Sequence, residues 1–293
     1  MKSASTWSLV PTRPLAHGLF TLALAAVASL GGVACGDQGD SDTAGREPDE
    51  AAIMGGARDS AHPAAGLLMA GEPKAGDSSP PTCGGTLVAP NVVLTAAHCM
   101  GQTLSAFYLG QGVPITIFDE RTKALKAMRR FAVREVMVFP SFEVARAFRP
   151  DGSIDSGYVC GREIIDVALV RLDKPVTDVT PVPLGDAPSV GAACEVVGYS
   201  THKDPARDFE TTHERRVAHR RVREAAPYRL FSDSLDGATR QGDSGGGLFC
   251  DGRIVGVLSC TPKWNPSASA TYDDHARFDV IRGWVDFHIG RWK

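Results

Sequence analysis

A serine hydroxyl is a poor nucleophile at neutral pH and needs a neighbouring base to take its proton. That base in turn needs a buried acid to fix its tautomer and stabilise the cation it becomes. Three segments of the chain offer such a set in order. The first is Cys83-Gly-Gly-Thr-Leu-Val followed by Val93-Leu-Thr-Ala-Ala-His98-Cys99. The second is Asp166-Val-Ala-Leu-Val-Arg-Leu172, and the third is Gln241-Gly-Asp-Ser244-Gly-Gly-Gly247. His98 could act as base, Asp166 as its orienter and Ser244 as nucleophile. Singly, each has a plainer reading: a surface or core histidine, a turn residue ahead of an apolar strand, an ordinary glycine-rich loop. Their joint occurrence points to a site. No Cys-x-x-Cys pair or Cys/His cluster offers metal ligands, and no cofactor is expected.

The elements that must position these residues are mostly strands. Between 53 and 277 the chain shows short β-branched runs set off by Gly, Pro and Asp: Gly85–Ala89, Val92–Thr95, Val133–Phe139, Val167–Leu172, Glu195–Gly198 and Arg253–Ser259. Such a pattern predicts an antiparallel sandwich or barrel rather than alternating βα units. Ile281, Trp284, Val285, His288 and Trp292 recur at helical spacing, predicting a short amphipathic helix over Phe278–Trp292. The 293 residues include 43% hydrophobic and 22% charged, which excludes wholesale disorder and a collagen-like repeat. No apolar run reaches the ~18–20 residues of a membrane-spanning helix.

The two ends differ from the middle. Residues 1–34 read as an export signal, with Lys2 and Arg13 ahead of an apolar run from Leu19 to Leu30. Val33-Ala34-Cys35-Gly36 is similar to the lipobox of bacterial lipoproteins, which would place a lipid on Cys35; Gly32 stands where that motif prefers Leu. The alternative is a soluble secreted protein cut after Ala28. Residues 35–52 carry six acids, one Arg and no large apolar side chain, the composition of a flexible tether or propeptide. All of the net charge of −3 lies in these ends, because residues 53–293 hold 28 acidic and 28 basic side chains. A neutral domain gives no electrostatic footprint for nucleic acid. The basic run Arg215–Arg223 alternates and is expected to be a solvated strand.

Thr-Ala-Ala-His-Cys and Gly-Asp-Ser-Gly-Gly, with Asp-Val-Ala-Leu-Val-Arg-Leu between them, resemble the trypsin/chymotrypsin-like serine protease family over residues 53–293. The resemblance implies an all-β fold of two six-stranded antiparallel barrels with a C-terminal α-helix, and a site in the cleft between the barrels. It implies roles for His98, Asp166 and Ser244 as above, and an oxyanion hole from the backbone N–H groups of Gly242 and Ser244. Ile53-Met-Gly-Gly56 is similar to the family's mature N-terminus, so cleavage between Ala52 and Ile53 by another protease would free an α-amino group to pair with Asp243. Ala52 makes a trypsin-like activator unsuited to that cut. The resemblance also pairs Cys83 with Cys99 and Cys194 with Cys250. It sets Cys160 and Cys260 beside the same part of the cleft, where a third bridge between them is expected, with two unpaired thiols as the alternative.

Some residues depart from the family's pattern. Cys260 stands where Trp is usual and Thr261 where Gly is usual, on the strand beginning at Ser259 that lines the substrate pocket. Gly247 replaces a usual Pro, and Arg240 a usual Cys, so the bridge beside the pocket is absent. Ala238, six residues before Ser244, replaces the acid that binds Arg or Lys side chains in trypsin. Asp236 or Asp273 could restore such a preference by pointing inward; otherwise a small or medium apolar side chain is expected. The segment Ser141–Ile165, longer than usual, should overhang the cleft. The reading is thus an exported, monomeric endopeptidase acting on protein or peptide substrates, touching a membrane only through a lipid on Cys35. A catalytically silent binding module is the alternative from another class. An esterase-type α/β-hydrolase is excluded by its Ser–Asp–His chain order, since the order here is His98, Asp166, Ser244.

Overall fold

A computed structural model of the chain describes residues 53, 56–71, 83–101, 103–116, 121–142, 164–200, 202–204, 209–261 and 272–293. The signal, the acidic segment with Cys35, Ala52, Cys160 and most of the 141–165 loop lie outside the described residues. The strands in the first half are β1 (Ala57–Arg58), β2 (Ala65–Ala70), β3 (Cys83–Ala89), β4 (Val92–Thr95), β5 (Leu104–Leu109), β6 (Gly112–Thr116), β7 (Arg129–Val138) and β8 (Ala168–Leu172). Those in the second half are β9 (Ala193–Gly198), β10 (His202–Asp204), β11 (Phe209–Glu214), β12 (Arg216–Ala225), β13 (Arg229–Ser234), β14 (Gly247–Cys250), β15 (Arg253–Cys260) and β16 (Tyr272–Ala276). Two helices, α1 (Arg121–Leu125) and α2 (Arg282–Arg291), complete the described elements with two 3-10 turns.

The short apolar runs close on themselves twice. β2-β3-β4-β8-β7-β5 form one closed antiparallel barrel, with β5 returning to pair with β2. β12-β13-β16-β15-β14-β9 form the second, closed by pairing of β9 with β12, and β1 adds to the outer edge of β12. Closure removes the unpaired edges that open sheets present. The two expected six-stranded barrels are therefore present. Val92–Thr95 matches β4, and the other predicted strands fall within a residue or two of β3, β8, β9 and β15; β7 starts four residues earlier, at Arg129.

The predicted helix begins late. Phe278 leads into a 3-10 turn, Asp279–Ile281, and α2 covers only Arg282–Arg291. Its inward stripe is as expected, with Ile281, Val285, His288 and Trp292 buried. The basic run is β12, but it is not solvated throughout. Alternation turns Ala218, Arg220 and Val222 inward, and Arg215 just ahead of the strand is buried too. Their charges are matched inside the protein: Arg220 Nε lies 2.7 Å from Asp273 Oδ2, and Arg215 Nε 2.7 Å from Asp59 Oδ2. Arg221 and Arg223 keep the outward places, while Arg216 is half-buried with its guanidinium on Glu214 and the Gly56 carbonyl.

Three ties hold the barrels together around the cleft. Tyr199, directly after β9, sends its ring into a cluster with Leu67, Met69, Ala106 and Tyr108 of the first barrel. Its buried hydroxyl lies 2.7 Å from the Gly110 carbonyl and 2.9 Å from that of Ala65. The hairpin β10–β11, between β9 and β12, pairs with β6 to give a three-stranded sheet that joins the two halves by backbone hydrogen bonds. The third tie is the nucleophile loop itself, described next.

Candidate active site

His98 sits on the 3-10 turn Ala97–Gly101 that follows β4, and Asp166 directly precedes Val167 and β8. Because β4 pairs antiparallel with β8, Thr95 opposite Ala168, the end of one strand and the start of the other bring the two residues together. Asp166 is fully buried and grips His98 twice. Oδ2 lies 2.7 Å from the imidazole Nδ1, and Oδ1 accepts the His98 backbone N–H at 2.8 Å. That grip orients the ring with Nε2 as the nitrogen left for chemistry.

A further donor comes from the second barrel. The Ser259 hydroxyl, also fully buried, donates to Asp166 Oδ2 at 2.6 Å. Burial pushes the Asp166 carboxyl up, but the His98 imidazole and backbone and the Ser259 hydroxyl outweigh it and hold the group below the ordinary aspartate value. Ser259 was placed by sequence at the substrate strand; its part in holding Asp166 was not foreseen, and the 93 residues between them left no local signal.

Ser244 lies in the loop between β13 and β14, which docks on the first barrel. Its carbonyl accepts the Gly84 N–H at 2.7 Å, and the Cys99 sulfur lies 3.8 Å from the same oxygen. Gly245 has φ +83°, and a Cβ there would stand 2.2 Å from Thr95 Oγ1 and 2.5 Å from the Gly84 carbonyl. Only glycine lets the loop come that close. The Cys83–Cys99 disulfide joins the strand that holds Ser244 to the turn that holds His98. Along the loop, Asp243 N–H donates to Arg240, Gly245 N–H to Leu258 and Gly246 N–H to Asp243. The N–H groups of Gly242 and Ser244 have no acceptor among the described residues. Gly242 has φ +100°, in the left-handed half of conformational space.

Asp243 is buried beneath this loop. It accepts the Ser200 N–H at 3.0 Å, the Ser200 hydroxyl at 2.5 Å and the Arg240 N–H at 2.9 Å. Burial pushes its carboxyl up, and these three donors only partly offset that. No cation pairs with it among the described residues. Gly198 packs against it so closely that a Cβ would fall 2.0 Å from Oδ1. Ile53 is buried against Val196 and Ala218. Ser200 was not singled out from the sequence, since nothing around it marks it as a ligand of Asp243.

The remaining pocket residues fall together. Thr239, next to Ala238, hydrogen-bonds Asp273 and meets Thr261, while Cys260 pairs in register with Asp274. Asp273 is committed to Arg220, and Asp236 is exposed and bound by the His219 ring and backbone N–H. Both carboxylates are thus already bound within the protein. Cys194–Cys250 is formed as expected. Cys260 is disulfide-bonded as well, in line with the expected third bridge and against the alternative of an unpaired thiol. The two remaining cysteines, Cys35 and Cys160, lie outside the described residues. Cys83, His98 and Cys99 form the one cluster of potential metal ligands among the described residues. Both sulfurs are spent in the disulfide and cannot serve as thiolates.

The family model described as Trypsin matches residues 71–285. Among curated relatives, the thrombin-like enzyme elegaxobin-1 of Protobothrops elegans is 28% identical over 222 residues, covering 69% of this chain and 84% of its own. The protein C activator of Agkistrodon piscivorus leucostoma is 31% identical over 191 residues, covering 60% and 66%. Among solved structures, human heparin binding protein is similar with a TM-score of 0.56 at 20% identity, covering 80% of this chain and 95% of its own. Neuropsin, a serine protease expressed in the limbic system of mouse brain, is similar with a TM-score of 0.56 at 23% identity, covering 78% and 95%.

Proposed function

Because the chain belongs to the trypsin family, we propose that it is a serine endopeptidase using His98, Asp166 and Ser244 on peptide bonds. The observation that carries this reading is the double hold of buried Asp166 on His98, beside a loop that presents Ser244. Ser244 Oγ attacks the scissile carbonyl carbon while His98 Nε2 takes its proton. Asp166 stays ionised and stabilises the imidazolium. The carbonyl oxygen becomes an oxyanion facing the N–H groups of Gly242 and Ser244, each worth about 3–4 kcal/mol in the transition state. Collapse of the tetrahedral species expels the amine, which receives the proton from His98 and leaves an acyl group on Ser244. Water, deprotonated by His98, then attacks the ester carbonyl, and the acid product leaves with Ser244 reprotonated.

Cleavage between Ala52 and Ile53 would supply the partner that Asp243 lacks. A buried carboxylate with three neutral donors and no cation gains most from a nearby ammonium. The freed α-amino group of Ile53 would fix the loop that carries both oxyanion donors. The remaining pairing is assigned as Cys160–Cys260, which ties the loop ahead of Asp166 to the substrate strand. Export by the segment 1–34, with lipid on Cys35, completes the reading.

A fluorophosphonate probe tests it. Protein beginning at Ile53 should be labelled once, on Ser244, and Ser244→Ala should lose both labelling and turnover while keeping its circular dichroism spectrum. A folded, correctly processed protein that takes no label would be a silent binding module, and the endopeptidase reading would fall.

A further inference from the structure

We propose that the specificity slot beside Ser244 is shut from within by its own side chains, so that the enzyme cleaves after small uncharged residues, Ala, Gly, Ser or Val, with Arg220 as the residue that cancels the charge of Asp273 in the slot. The proposal rests on the endopeptidase reading above and names its substrate class.

Three stretches converge there. Ala238 and Thr239 lead into the nucleophile loop; Ser259, Cys260 and Thr261 end the strand that also holds Asp166; Asp273 stands on neighbouring β16. The first two stretches flank Ser244, because Gly245 N–H donates to Leu258 and Leu258 N–H to Gly246, both at 2.8 Å. A long side chain entering beside Ser244 would have to pass between them. Instead their side chains meet: Thr239 Oγ1 lies 2.5 Å from Thr261 Oγ1. A carbon chain needs about 4 Å to each wall, so the hydroxyls would have to part by several ångströms. They are anchored against that, since Thr239 Oγ1 donates to Asp273 Oδ1 at 2.6 Å and Thr261 Oγ1 to the same oxygen at 3.3 Å.

Asp273 cannot serve a basic substrate. Its Oδ1 is taken by the two threonines, and its Oδ2 accepts Arg220 Nε at 2.7 Å. The Arg220 side chain is 0% exposed, and its Nη1 donates to the His219 carbonyl and approaches Ser234 Oγ. A second cation brought to Asp273 would meet the Arg220 charge in a buried setting, where like charges repel strongly. An acidic side chain fares no better, because Arg220 is sealed behind Asp273 and the pair is neutral. What the slot leaves is the shallow space above Thr239 and Thr261.

The test uses protein beginning at Ile53, with active sites counted by fluorophosphonate titration. Four peptide p-nitroanilides that differ only in the residue before the amide, Ala, Val, Phe and Lys, are compared by kcat/KM per active site. Ala or Val should exceed Phe and Lys by at least about tenfold, the discrimination a methylene-scale misfit supplies. Thr261→Gly, which removes no charge, should raise the Phe/Ala ratio about tenfold or more. Lys should remain poor in that variant because the Arg220–Asp273 pair is intact. A wild-type enzyme that prefers Lys or Phe, or an unchanged Phe/Ala ratio in Thr261→Gly, overturns the closed slot. Lys becoming the best substrate of Thr261→Gly overturns the part assigned to Arg220. Absence of fluorophosphonate labelling instead refutes the endopeptidase reading on which the inference stands.

Discussion

Replacing Ser259 by alanine should weaken the protein and its catalysis together, in a way that depends on pH. The wild-type hydroxyl donates at 2.6 Å to Asp166, and both residues are fully buried. A hydrogen bond to a charged group contributes about 1.5–3 kcal/mol. The carboxylate keeps its two contacts to His98, so the loss should fall in that range at pH 7. With one of its donors gone, the Asp166 carboxyl should rise toward the ordinary aspartate value. Its native-state value lies below the unfolded one, so its stabilisation is present above the unfolded pKa and is lost as pH falls through the native pKa. In Ser259→Ala that loss is smaller and is complete at a higher pH. The gap between wild type and variant is therefore full at neutral pH and narrows as the variant's carboxyl protonates. Urea unfolding between pH 8 and about 2 measures the gap, and kcat should drop at least several-fold at pH 7 as Asp166 loses a contact that holds it in line with His98. A gap below about 0.5 kcal/mol at pH 7, or one that does not change with pH while kcat is unaltered, would refute the assignment of Ser259 as a positioning residue.

Gly198→Ala would drive a methyl into Asp243, 2.0 Å from Oδ1, and displace the loop that carries the oxyanion donors. Stopped-assay kinetics should show kcat down by about 10²–10³, the effect of losing one donor, in a protein whose circular dichroism is unchanged. His275, fully buried, has its pKa pushed down by burial from 6.5 to about 4. Its protonation thus favours unfolding, and stability should fall as pH drops from about 6.5 to 4, by about 2 kcal/mol at pH 5 from this group alone. His275→Gln should flatten that part of the urea-unfolding pH profile. Mass mapping of a non-reduced digest should find a peptide joining Cys160 to Cys260, and a Cys35–Cys260 peptide would overturn that assignment.

What could be read from the sequence was chemistry packed into short motifs. His98, Asp166 and Ser244 each sit in a run whose neighbours also have work to do: Cys99 bridges, Asp243 anchors, Gly245 admits close packing. The strands were legible because closed barrels bury β-branched runs such as Val92–Thr95. Contacts between distant, ordinary residues were not. Ser259 and Ser200 look like any serine until the barrels bring them to Asp166 and Asp243. Arg220 was assigned to solvent because lone charges are costly to bury, and only Asp273, 53 residues on, makes its burial tolerable. The hairpin β10–β11 passed unseen, since His202–Glu214 lacks the apolar alternation that marks a strand.

That hairpin bears on how the molecule fails under heat. The proposed triad draws His98 and Asp166 from one barrel and Ser244 from the other, so parting the halves would silence it while each barrel stayed folded. The β6–β11 ladder, with Thr211 opposite Thr116 and Glu214 opposite Gly112, stitches the halves through the main chain. Separation then requires breaking backbone pairing rather than sliding apart two surfaces, and the halves should melt as one cooperative unit. Activity and fold would disappear at the same temperature, with no dormant, half-opened species between them.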